Sequence, residues 1–150
     1  MAAWINIVVT DLNDYLVGAQ VAALRSAALA SGQSDPFENV MHDRTNYVRA
    51  RISKRISISE TAYSVPPELK TAACMLIIEA MQGRLNLQLT DDQRTAIARA
   101  YKDLDIAATD DLPVSTPDDP VEPEVQQAGG NAAIVTKRDN PLTGSRLAQL

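Results

Sequence analysis

Cysteine, histidine and aromatic residues are scarce in this chain. Because Cys74 is the only cysteine, no disulfide can form within the chain, and its position in an apolar run indicates a buried structural thiol, as expected in a reducing compartment. His42 is the only histidine and has no cysteine beside it, so we expect no zinc site. With 45% hydrophobic but only 4% aromatic residues, the composition predicts a helical core built from Ala, Leu and Ile.

Motifs for catalysis and for phosphate binding are missing as well. The sequence has no glycine-rich phosphate loop, no Gly-x-Ser-x-Gly elbow and no nucleophile that could be paired with a histidine base. Asp91 and Asp92 could be read as a metal pair, but carboxylates favoured by the dipole of a helix start explain them more simply. Asp118 and Asp119 lie in a proline-rich stretch where we expect no preorganised site. We therefore predict a protein that is not an enzyme and uses no cofactor or metal.

No apolar run is long enough for a membrane span. The longest, residues 72–81, is interrupted only by Glu79, and its ten residues fall short of the about 20 that a bilayer requires. The first residues also lack the basic region and apolar core of a secretory signal, so we expect synthesis in the cytosol.

The apolar run is best explained as the central helix of a bundle. Val65 precedes Pro66 and is therefore biased away from helical geometry, whereas Pro67 suits a first helical position. A helix that is apolar on nearly all sides has to be buried by its neighbours. We expect its side chains to be largely buried at Leu69, Ala73, Leu76, Ile77 and Ala80. Glu79 predicts either a gap at the bundle edge or a pair across a subunit boundary with an arginine.

Caps and apolar spacing indicate four more helices. Thr10 caps a short helix that runs to about Val17, and Gly18 is expected to end it. A second short helix follows to about residue 32, and Thr90 with Gln93 forms a capping box that begins the last one. Trp4 and the residues that follow it form an extended lead-in. The residues expected to face inward are Val21, Leu24, Ala28 and Leu29 in the second helix and Ile97, Ala100, Tyr101, Leu104 and Ala108 in the last.

The remaining helix begins at Asp35, which can cap it, with Pro36 in the first helical position and Glu38 completing a capping-box-like pattern. Its predicted apolar face consists of Phe37, Val40, Met41, Tyr47, Val48 and Ile52. Five of its residues are basic, namely Arg44, Arg49, Arg51, Lys54 and Arg55. These side chains either form a solvated face paired with acids of the same or a neighbouring chain, or they contact DNA phosphate or an acidic partner. The alternating Ile56-Ser-Ile-Ser segment then predicts a short extended connection.

Charge is distributed unevenly, and the net charge of −5 argues against a general nucleic-acid binder. Residues 103–124 contain eight acids and no base, and five of the eight prolines follow Thr109. We therefore predict a helical domain over residues 1–108 and a solvated acidic linker over residues 109–131. Apolar and basic residues return in residues 132–150, which we interpret as a docking segment; a solubilising tail is the alternative. Its candidate contact residues are Ile134, Val135, Lys137, Arg138, Pro141, Leu142, Leu147 and Leu150.

Three segments carry a resemblance to a known family. They are the Ile-Asn-Ile-Val-Val-Thr-Asp-Leu opening from Ile5, the Asp35-Pro36-Phe37 helix start that leads into a basic stretch, and Val65-Pro-Pro-Glu-Leu-Lys before the apolar helix. Over residues 4–108 this layout resembles the small head–tail connector proteins, also called adaptor or head-completion proteins, of long-tailed bacteriophages. The long acidic, proline-rich spacer is a departure from that family.

The resemblance implies an all-α structural protein of the virion neck, assembled in the host cytoplasm. Such proteins form rings, commonly twelvefold, that join the portal protein to the tail or its completion protein and let packaged DNA pass without sequence-specific binding. The basic helix and Glu79 then become candidate subunit or portal contacts. The alternative from another class is a cytosolic regulatory or DNA-binding module. The connection over residues 56–64 is too long and too apolar for a helix-turn-helix, which needs a tight turn before its recognition helix.

Overall fold

The computed structural model describes residues 2–27, 29–109 and 111–121. Four α-helices form the body of the domain: α1 (Gly18–Ser26), α2 (Phe37–Ile52), α3 (Lys70–Arg84) and α4 (Asp91–Thr109). Two 3-10 helices, Val9–Asp14 and Pro67–Leu69, precede α1 and α3. The fold is thus a small helical bundle, and the all-α prediction is confirmed.

One small sheet ties the start of the chain to the entrance of α3. The strand β1 (Ile5–Asn6) pairs antiparallel with β2 (Ser64–Val65), and Ile5 lies opposite Val65. The sequence predicted extended lead-in residues here but not their partner. The strand β2 leads through Pro66 in an extended conformation to Pro67, which begins the short helix before α3.

The helix α3 is the centre of the core. Every side chain from residue 72 to residue 78 is buried, and α2 and α4 pack against this helix. Four of the five positions predicted to be buried are so, with Leu69, Ala73, Leu76 and Ile77 completely inaccessible, whereas Ala80 is only partly buried. A helix with apolar side chains all round is stable here because its neighbours cover each of its faces.

Several helix boundaries differ from the sequence prediction, and the first helix begins at Val9, so Thr10 does not cap it. Gly18 begins α1 instead of ending the preceding helix, which is a short 3-10 segment that stops at Asp14. The helix α1 ends at Ser26, so Leu29 lies beyond it and is exposed. Ala28 lies outside the described residues. Tyr47 is also more exposed than predicted, because it stands at the seam between α2 and α4 with its ring edge toward Tyr101.

Residues 111–121, here called the strap, correct the prediction of a solvated linker that begins at residue 109. The strap packs along the domain: Trp4 Nε1 donates to the Ser115 carbonyl at 3.1 Å, and the Ala2 amide donates to the Thr116 carbonyl. Near its end, the Glu60 amide donates to the Asp119 carbonyl, and the Val121 amide donates to the Ile58 carbonyl. Composition alone favoured a solvated segment, but groups of distant residues form hydrogen bonds with the backbone of the strap. The remaining linker residues and the predicted docking segment lie outside the described chain.

Candidate interaction surfaces

Arg49 is occupied within its own chain. Its Nη2 donates to the Ser59 carbonyl at 2.7 Å, and its Nη1 donates to the carbonyls of Thr61 and Ser64. The guanidinium also lies 5.7 Å from the centre of the Trp4 ring, a cation–π distance. Burial lowers the pKa of Arg49 below its usual value. This arginine therefore fixes the connection between α2 and β2 and is not available to a partner.

Arg51 and Arg55 also bind groups of the same chain. Arg51 forms an ion pair with Asp105 of α4, and both side chains are largely exposed. Arg55 Nη1 donates to the carbonyls of Ala107 and Leu112, each at 2.8 Å, and so holds the end of α4 against the start of the strap. Both residues lie at the end of α2 and join it to α4. Arg51 therefore fits the interpretation of the basic residues as a solvated face that pairs with acids of the same chain.

Arg44 and Lys54 differ from the other three basic residues, since neither forms a hydrogen bond or an ion pair with any residue that the structure places. Together with Tyr47 and Arg51 they are spaced three and four residues apart along α2 and the turn that follows it. A shallow depression beside these residues is lined by Tyr47, Lys54 and Asp105. We call Arg44, Tyr47 and Lys54 the basic stripe. Lys54 is exposed, whereas Arg44 is partly buried and its charge acts on Tyr101 of α4.

Glu79 has a partner within the bundle. Its Oε2 accepts a hydrogen bond of 2.8 Å from the Tyr101 hydroxyl of α4. Burial, followed by the hydrogen bond to Glu79, raises the pKa of Tyr101 to about 12. The expected gap at the bundle edge is therefore filled by a tyrosine, and a pair with an arginine of a neighbouring subunit remains a prediction.

The strap contains a polar anchor that the sequence did not reveal. Asp119 accepts hydrogen bonds from Ser59 Oγ at 2.6 Å, from Thr61 Oγ1 at 2.8 Å and from the Thr61 amide at 3.1 Å. These bonds, that from Ser59 first, lower the pKa of Asp119. Asp119 was expected to lie in a solvated linker, but its carboxylate is fixed by these hydrogen bonds. The only signal in the sequence was the Asp118-Asp119 pair, and it does not predict that Asp119 binds the hydroxyls of Ser59 and Thr61.

A second surface missed by the sequence analysis is an apolar groove between α1 and the segment after α3. It encloses about 280 Å³ and is lined mainly by Ala23 and Leu24 on one side and Leu85 and Leu87 on the other. Leu87 is 50% exposed. The sequence did not predict this groove, because Leu87 and the residues of α1 that it faces are far apart in the chain.

The other predicted site features can now be placed. Asp91 and Asp92 lie in the first turn of α4, where the dipole favours them, and Cys74 is buried in α3 with its pKa raised by burial to about 12. Across residues 2–27, 29–109 and 111–121, no three His, Cys, Asp or Glu side chains are grouped so that they could hold a metal ion. Within these ranges no helix has the length and hydropathy needed to cross a membrane. The eight candidate residues of the docking segment lie outside the described residues.

Comparisons with known proteins add no relative: no protein-family model matches the chain, and no curated protein sequence is significantly similar to it.

Proposed function

We propose that this protein is a structural component of a bacteriophage neck, where copies of the helical domain form a ring that joins the portal protein to the tail and extends the DNA channel. The observation that carries the proposal is the entrance to α3. Val65, Pro66 and Pro67 pass from a paired strand into a helix whose side chains are buried from residue 72 to residue 78. This is the segment on which the resemblance to head–tail connectors chiefly depends.

The other two segments of the resemblance also correspond to structural elements. The opening from Ile5 forms β1 and the 3-10 helix behind it. At Asp35-Pro36-Phe37, the Phe37 amide donates to Asp35 Oδ1 at 2.9 Å, and Pro36 is the N-cap of α2. Each segment of the resemblance thus forms a defined element of the domain, which supports the proposal.

The surfaces available for assembly fit a ring protein. Because Arg49, Arg51 and Arg55 are held by their own chain, the basic stripe supplies the positive charge of this region that no described hydrogen bond or ion pair occupies. Charged contacts of this kind fix register and partner choice more than they add affinity. The segment of residues 132–150 provides a second contact, with the portal as its partner.

The test is assembly on the cognate portal protein. Full-length protein mixed with purified portal should give a complex with a mass of several added copies, measured by mass photometry, and an added ring in electron micrographs. The same protein lacking residues 131–150 should keep its folded helical domain but no longer stay on the portal. A full-length protein that stays a monomer or dimer beside the portal and binds DNA with strong salt dependence would instead support the regulatory alternative.

A further inference from the structure

The apolar groove has the dimensions of a receptor for side chains. Its volume of about 280 Å³ lies just below the roughly 300–1,000 Å³ that is usual for small-molecule sites. Ala23, Leu24, Leu85 and Leu87 give it apolar walls, and Leu87 keeps half of its surface exposed. An apolar wall of this kind gains free energy when an aliphatic side chain covers it.

The surface that the groove presents is almost entirely apolar. Gln82 also lines the groove, but its Oε1 atom is buried and so offers no polar surface to a guest. An extended peptide with aliphatic side chains fits a wall of this kind.

The groove and the strap lie at opposite ends of the domain. At the start of α3, Glu68 accepts a hydrogen bond from Ser115 of the strap. At the end of α3, Arg84 donates to the Leu24 carbonyl in α1 and to the Ala27 carbonyl just after it, next to the groove. The 15 residues of α3 separate these two ends by about 22 Å.

The chain leaves the domain at the strap end. Val121 is fixed there by its amide hydrogen bond to the Ile58 carbonyl. The next 12 residues, 122–133, would span roughly 37 Å in polyproline geometry. Ile134 and Val135, the first branched aliphatic pair after that spacer, can therefore reach the far end of an adjacent domain.

We propose that the groove binds Ile134 and Val135 of a second copy of this chain. An arm that leaves one end of a domain and a receptor at the other end form a head-to-tail contact, and such contacts generate rings when the rotation closes. The inference rests on the proposed ring and names the partner of the first part of the arm. Pro141, Leu142, Leu147 and Leu150 remain for the portal.

Cysteine cross-linking in the full-length chain tests this arrangement. One preparation carries Ala23→Cys, at an exposed groove position, and a differently tagged preparation carries Ala133→Cys, next to the proposed guest residues. The matched control replaces Ala23→Cys by Ala22→Cys, which is also exposed on α1 but does not line the groove. Native Cys74 can stay, because it is buried and its pKa is raised to about 12.

Under mild oxidation, the mixture with Ala23→Cys should form the mixed covalent dimer at least about tenfold faster than the control mixture, because a seated arm holds its thiol at a high effective concentration. Adding Leu87→Asp to the acceptor chain should abolish this difference. Equal rates for the two mixtures would overturn the proposal. So would a chain carrying both Ala23→Cys and Ala133→Cys that closes on itself while the mixture gives no dimer. Binding of the unmodified protein to the portal is measured separately, so a negative cross-link leaves the neck proposal to its own test.

Discussion

Asp119 and Ser59 are joined by a hydrogen bond of 2.6 Å although 60 residues separate them in the chain. The backbone carbonyl of Ser59 also accepts a hydrogen bond from Arg49 Nη2. The turn between α2 and β2 is therefore held by a cation of the helix and an anion of the strap. Thr61 repeats the arrangement, since its amide and hydroxyl donate to Asp119 and its carbonyl accepts Arg49 Nη1.

The first prediction concerns Arg49 and Arg51. Arg49→Ala should destabilise the domain by about 2–4 kcal/mol, because it leaves several partly buried carbonyls without a donor. Arg51→Ala should cost at most about 1 kcal/mol, since its ion pair with Asp105 is exposed to solvent. Urea unfolding followed by circular dichroism measures both. Equal effects would show that the hydrogen bonds of Arg49 contribute little.

The second prediction concerns acid titration of the strap. Because the pKa of Asp119 is lowered in the folded state, its stabilising effect is fully present above the usual value of 3.8 and is lost as the pH falls through the lowered pKa. Asp119→Asn should therefore be less stable than the parent at pH 7, and this difference should disappear in strong acid. Urea midpoints from pH 7 down to pH 2 test this, and the other carboxylates cancel in the comparison. A difference that is the same at every pH would contradict the role of the charge.

The third prediction concerns Tyr101. Tyr101 should ionise near pH 12 in ultraviolet absorbance titration. A raised folded-state pKa contributes stability that is present below pH 10 and is lost as the pH rises toward 12. Glu79→Gln removes the negative charge and should shift this ionisation to lower pH. Tyr101→Phe, as the control, should remove the late step from the titration.

The fourth prediction concerns the core. Leu76→Ala should lower the free energy of unfolding by about 2–5 kcal/mol through lost transfer energy and a cavity, because Leu76 is completely buried in α3. Leu87→Ala, at a half-exposed position, provides the matched control and should cost less. Thermal and urea unfolding give both values. A Leu76→Ala protein that melts like its parent would contradict the central position of α3.

The fifth prediction separates assembly from folding. Arg44→Glu combined with Lys54→Glu should weaken binding to the portal and leave the domain folded, since neither side chain forms a hydrogen bond or ion pair within the described domain. Lys102→Glu on α4 is the control, an exposed reversal outside the basic stripe. A loss of DNA binding with normal portal binding would favour the regulatory alternative.

The features that the sequence predicted well are local ones. At the start of α4, the Thr90 amide donates to Gln93 Oε1 and the Gln93 amide donates to Thr90 Oγ1, as the capping box indicated. The central helix was predictable because ten nearly uninterrupted apolar residues can be buried only inside a bundle. Both patterns involve residues that are close together in the chain, so the interactions that stabilise them can be predicted from the sequence.

The features that the sequence did not predict depend on distant partners. The composition of the strap indicates solvation, and only the folded chain brings Ser59 to Asp119 and Trp4 to Ser115. The basic residues were interpreted together as a charged face. Their roles differ, because some of the arginines donate hydrogen bonds to backbone carbonyls of other segments. The position of a residue along a helix predicts the direction of its side chain, but it does not predict which groups of other segments that side chain contacts.

The link between Trp4 and Ser115 also determines when the domain can be completed during synthesis. The donor and the acceptor are 111 residues apart, so the first strand leaves the ribosome long before its last contact exists. Closing so long a loop costs entropy and belongs among the slow, non-local steps of folding. Translation must therefore pass the strap before the indole N–H and the Ala2 amide find their acceptors. A nascent chain stalled at the end of α4 should leave its N-terminus open to protease, and release of the next dozen residues should protect it.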